Sequence, residues 1–81
     1  MDLNAPRTYW ATFRDLELTI RETAGGYSWR VRNSKTGEEA GRGETAGISG
    51  LEDAMVAAAQ VARADWGVVR WRRVGEEEEE G

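Results

Sequence analysis

Residues 16–22, LELTIRE, alternate: Leu16, Leu18 and Ile20 share one phase, and Glu17, Thr19 and Arg21 the other. That is the period-two signature of a half-buried strand. After Thr23-Ala24-Gly25-Gly26, Tyr27, Trp29 and Val31 alternate in the same way with Ser28, Arg30 and Arg32. The two glycines make positive φ accessible for a tight reversal, so the two runs read as a hairpin. Asn33-Ser34-Lys35-Thr36-Gly37 is a loop of residues whose side chains bond their own backbone, closed by a glycine. The next stretch, EEAGRGETA, is a weaker third strand, because Gly41 and Gly43 offer nothing to pack; it fits an edge position that admits a bulge.

Ser49 and Glu52 have capping-box spacing and place a helix start at Gly50 or Leu51. Leu51, Ala54 or Met55, Ala58, Ala62 and Trp66 then recur at helical spacing, with Asp53, Gln60 and Arg63 on the wetter side and Gly67 as the stop. Alanines at 54, 57, 58, 59, 62 and 64 let this helix lie close to a sheet. Residues 68–74 are rich in β-branched and aromatic side chains and read as a last strand, its phase open because Val68 and Val69 are adjacent. Residues 1–15 fit either a short helix opened by Asn4 before Pro6 or a strand through the aromatic run TYWATF.

The expected fold is α+β: a small antiparallel or mixed four-stranded sheet in the order β-β-β-α-β with one helix on one face. A right-handed crossover would set the last strand parallel to the 16–22 strand. One helix covers one face of such a sheet, so the other stays wet unless the N-terminal segment or a partner covers it.

The 81 residues allow one core and no deep enclosed site. Residues 1–74 form the expected domain and 75–81 a disordered acidic tail. The net charge of −4 averages two regions: all 11 basic residues and 10 of the 15 acidic ones lie in 1–74, a net of +1, while the glutamates at 76–80 supply the rest. The tail is either a solvated solubiliser or a strap that folds back over arginine. Ten of the 11 basic residues are arginine, whose forked guanidinium suits carboxylate and phosphate alike.

Cysteine and histidine are absent, which removes disulfides, the best metal ligands, the strongest nucleophile and the usual proton shuttle. No cofactor is expected, and no enzyme. Glu52 and Asp53 are explained as first-turn acids of the helix, and the 41–47 glycines miss phosphate-loop spacing by one residue. The opening MDLNAPRTYW lacks signal-peptide sections and no apolar run would cross a bilayer, so a cytoplasmic, non-membrane protein is expected.

The informative feature is arginine on the expected open face. Arg21, Arg30 and Arg32 share the outward phase, and two of Arg70, Arg72 and Arg73 should join them, with Trp71 alongside. These residues are either a salt-bridge face paired with Glu17 and Glu44 or a docking patch. Trp10 or Trp71, if exposed beside arginine, would anchor an interface. The opposite reading makes Glu38, Glu39, Glu44, Glu76, Glu77 and Glu78 a phosphate mimic that occupies a basic channel.

GYSWRV, NSKTGE and SGLEDAMVAAAQVA together resemble two groups. Across residues 17–67 the chain is similar to small phage-encoded anti-CRISPR proteins, with a GY strand, a Gly-Arg third strand and an Ala/Met-rich helix ending near Trp-Gly. It also resembles HicB-type antitoxins, through the GY strand, the glycine-rich third strand and the Glu52-Asp53-Ala54 helix opening, without that group's Pro-Asp strand end. The first resemblance implies an inhibitor acting in the host cytoplasm by binding a host protein complex, a CRISPR effector. The second implies an antitoxin or nucleic-acid-binding accessory module. A monomer and a homodimer joined at the weak edge strand are both compatible with the sequence.

Overall fold

The computed structural model describes residues 7–74, with the side chain of Trp66 excepted. The expected acidic tail and Asn4 lie outside those residues. Five strands, β1 (Thr8–Phe13), β2 (Leu16–Glu22), β3 (Gly26–Asn33), β4 (Glu39–Ala46) and β5 (Arg72–Arg73), form one antiparallel sheet in the order β4-β3-β2-β1-β5. A single α-helix among the described residues, α1 (Gly50–Val61), lies against β2, β3 and β4. The α+β class and the one-sided helix stand as expected, with a fifth strand added.

The added strand settles the N-terminal alternative. TYWATF pairs with β2 from Thr8↔Arg21 to Phe13↔Leu16, with Tyr9, Ala11 and Phe13 toward the helix side and Thr8, Trp10 and Thr12 away from it. Its connection to β2 is only Arg14-Asp15, with Arg14 at φ 59°.

The last strand departs from expectation twice. It pairs antiparallel with β1 through Tyr9↔Arg73 and Trp10↔Arg72, because β1 occupies the position beside β2 that the crossover would have reached. β5 therefore runs in the same direction as β2 without touching it. It is also two residues long, since a 3₁₀ turn at Trp66–Val68 takes up the start of the expected strand. Val69 and Trp71 then turn inward while Val68, Arg70 and Arg72 are exposed, which fixes the phase.

The core is thin. Leu18, Ile20 and Val31 are the largest fully buried side chains and α1 buries Ala54, Ala58 and Ala59, with Leu18, Val31, Ala58 and Ala59 packed in one cluster. Ala64, Val69 and Trp71, after the helix, join the same cluster as Ala11, Phe13 and Leu16. The close approach needs glycine on the sheet. A Cβ at Gly41 would stand 3.0 Å from the Val61 side chain, and one at Gly43 only 2.8 Å from the Trp29 ring, which lies across it. The glycines that weaken β4 as a sequence signal thus make room for the helix and for Trp29.

Three local expectations are corrected. Gly25 and Gly26 are not at positive φ; Gly26 is required because a Cβ there would collide with the Thr45 carbonyl of the adjacent strand. Ser49 makes no side-chain capping bond, and the junction is pinned instead by the Thr45 hydroxyl donating to the Gly50 carbonyl. The helix stops at Val61, not Gly67. Arg63 adopts φ 60° while its N–H bonds the Gln60 carbonyl and the Ala64 N–H bonds the Ala59 carbonyl, a Schellman ending with arginine where glycine is usual. The 33–37 loop is as read: the Asn33 Oδ1 accepts from the Lys35 and Thr36 amides, and Gly37 sits at φ 80°.

Two substitutions test this packing. Gly43→Ala should destabilise the domain by about 1–3 kcal/mol through displacement of the Trp29 ring. Arg63→Gly should stabilise it by about 0.5–1 kcal/mol by relieving the left-handed backbone. Urea unfolding followed by tryptophan fluorescence measures both.

Candidate functional site: the open face of the sheet

Strand alternation and register decide what the face opposite α1 carries, which no described element covers. One row of directly opposed residues crosses all five strands: Arg72, Trp10, Thr19, Arg30 and Arg42. With strands about 4.8 Å apart the row is roughly 19 Å long. The row on one side reads Thr8, Arg21, Ser28 and Glu44, and on the other Thr12, Glu17, Arg32 and Glu39. The face thus presents five arginines against three glutamates, on a floor of Thr and Ser.

The acids hold the arginines in place. Glu39 bridges Arg30 at 3.4 Å and Arg42 at 3.5 Å, made possible by the register shift at Val31/Arg32 that turns Glu39 onto this face. Arg32 donates to the Glu17 carboxylate at 3.1 Å. Exposed pairs of this kind contribute roughly 0.2–1 kcal/mol each, so they orient guanidinium groups without withdrawing them from a stronger acceptor. Arg21 makes no ion pair within 4.0 Å among the described residues. It lines a trough of about 730 Å³ with Thr19, Ser28, Arg30, Arg42 and Glu44. At the far end of the row, the Arg72 guanidinium lies 5.7 Å from the centre of the Trp10 ring, which is 37 % exposed.

Of the arginines read from the sequence, Arg21, Arg30, Arg32 and Arg72 come together here. Arg70 is exposed but precedes the paired residues of β5. Trp71 is turned the other way: it packs against the core, and its buried indole N–H has no hydrogen-bond acceptor among the described residues. Trp10 holds the exposed aromatic position beside arginine that the sequence left open between the two. Arg42 was not among the expected site residues; its signal is the Arg42/Glu44 alternation inside the glycine-rich run. Glu39 and Glu44 are interleaved with arginine, Glu38 lies before β4, and Glu76, Glu77 and Glu78 are outside the described residues. Glu52 and Asp53 are exposed in the first turn of α1, away from this face.

The two tryptophans should separate in a stability assay. Trp71→Ala is expected to cost about 2–4 kcal/mol of folding stability, whereas Trp10→Ala should cost under about 1 kcal/mol, the scale of an exposed cation–π contact. Chemical denaturation of both variants measures the difference. Comparison of the chain with family models, with curated proteins and with solved structures returned no match.

Proposed function

We propose that this chain is a non-catalytic binding domain that docks the open face of its sheet on an acidic protein surface. The observation that carries the reading is the arginine and tryptophan row across five strands, on the side opposite α1 that no described element covers. The ladder fixes the backbone that carries these side chains, so binding through them orders less main chain than binding through loops. Arginine and tryptophan are also the residues that dominate binding hot spots. The side chains on this face are five arginines outnumbering three glutamates, with hydroxyls between them and an apolar anchor at one end, and the surplus of guanidinium groups favours carboxylates. A host CRISPR effector complex is the partner class that the resemblance to phage inhibitors supplies.

The favoured target is protein rather than nucleic acid. A platform for single strands stacks successive bases on several aromatic rings, and this face carries Trp10 alone among its described positions. Three glutamates within the row system also weaken the field a polyphosphate would meet.

The test is recovery of partners from bacterial lysate by the tagged chain, with and without nuclease, alongside Arg21→Glu/Arg30→Glu and Arg63→Glu variants. A stoichiometric, nuclease-resistant protein should be retained by the native chain and by Arg63→Glu and lost from the double variant. Recovery of nucleic acid alone, released at moderate salt, would overturn the reading. Protein capture indifferent to the double reversal would overturn it as well.

A further inference from the structure

The two edges of the sheet are built differently. One ends in β5, two residues long and carrying two arginines, which is a blunted edge of the kind that discourages pairing. The other is β4, eight residues long, without proline or lysine, and no described strand pairs with its outer side. Its ladder on β3 is regular from Gly41 to Ala46, bounded by the register shift at one end and by Gly47 at φ 87° at the other.

That stretch is self-complementary. In an isologous antiparallel pair the two copies keep the same faces together, so opposed residues share parity along the strand. A two-fold axis through Gly43 sets Arg42 opposite Glu44 of the second copy, and Glu44 opposite its Arg42, all four on the open face. Opposed side chains have Cβ atoms about 5 Å apart, and opposite charges there stabilise the pairing. Moving the axis by one residue places Arg42 against itself or Glu44 against itself, which is repulsive in both cases. On the helix side the same register opposes Gly41 to Thr45 and Gly43 to itself, small residues that leave space beneath two helices. Ile48, fully exposed just past the Gly47 turn, stands where the second copy's β4 begins.

We infer that β4 is a homodimerisation edge, joining two copies antiparallel about Gly43 into a ten-stranded sheet whose open faces are continuous. In the monomer Arg42 already reaches Glu39 at 3.5 Å; in the dimer it stands between Glu39 of its own chain and Glu44 of the second. This inference is independent of the docking partner.

Sedimentation equilibrium on the full chain, 9.0 kDa as a monomer, tests it. The native chain is expected to show concentration-dependent doubling of mass. E44R and R42E, each of which sets like charges opposite at both pairs, should each weaken dimerisation on the order of tenfold or more. The double swap R42E/E44R should restore it, as should mixing the two single variants, because one chain then opposes arginines to the other's glutamates. The mixture also shows that each single variant is folded. A native chain that remains monomeric to about 1 mM, single variants that dimerise as tightly as the native chain, or a mixture that fails to recover mass would each overturn the assignment.

Discussion

The contact between α1 and the sheet is made largely of residues with little or no side chain. Ala54, Ala58 and Ala59 approach from the helix, and Gly41 and Gly43 recede on the strand below. A core with Leu18, Ile20 and Val31 as its largest fully buried side chains gains its apolar burial by closeness rather than bulk. Trp29 supplies the bulk at one place by lying over Gly43. A Cβ added at Gly41 presses on Val61 of the helix, and one at Gly43 on that ring.

Closeness also limits reach. A twelve-residue helix lies over β2, β3 and β4 and leaves β1 to be covered by residues C-terminal to it. The Schellman ending at Arg63 turns the chain so that Ala64, Val69 and Trp71 fill that part of the core. Helix and C-terminal segment thus both cover the same face of the sheet. The other face, with its row of arginine, threonine and tryptophan, stays open because no described element remains to cover it.

The hairpin and the 33–37 loop were legible because period-two alternation and Asx chemistry are local signals: Leu18, Ile20 and Val31 are buried as their phase requires. What escaped was decided by distant residues. TYWATF becomes a strand because β2 offers a free edge, and that insertion also turns the expected parallel partner of β2 into an antiparallel neighbour of β1. The spacing of Ser49 and Glu52 promised a capping box, yet Thr45, on the adjacent strand, makes the junction's hydrogen bond. At the site, alternation placed Arg21, Arg30 and Arg32 correctly. Arg42 was hidden by glycines that look strand-breaking until the helix above them is seen, and Trp10 could not be told from Trp71 without knowing that β1 exists.

The pairing of β5 with β1 draws the two ends of the fold together: the Val74 amide donates to the Thr8 carbonyl at 2.8 Å. Chain order is therefore a weak constraint on this architecture. A short linker across that hydrogen bond would close the backbone into a ring, and the ring admits reopening at an exposed turn such as residues 34–36, which lie outside the strands and the core. A circular permutant of that kind would keep every strand neighbour while moving both termini to the β3–β4 end of the sheet.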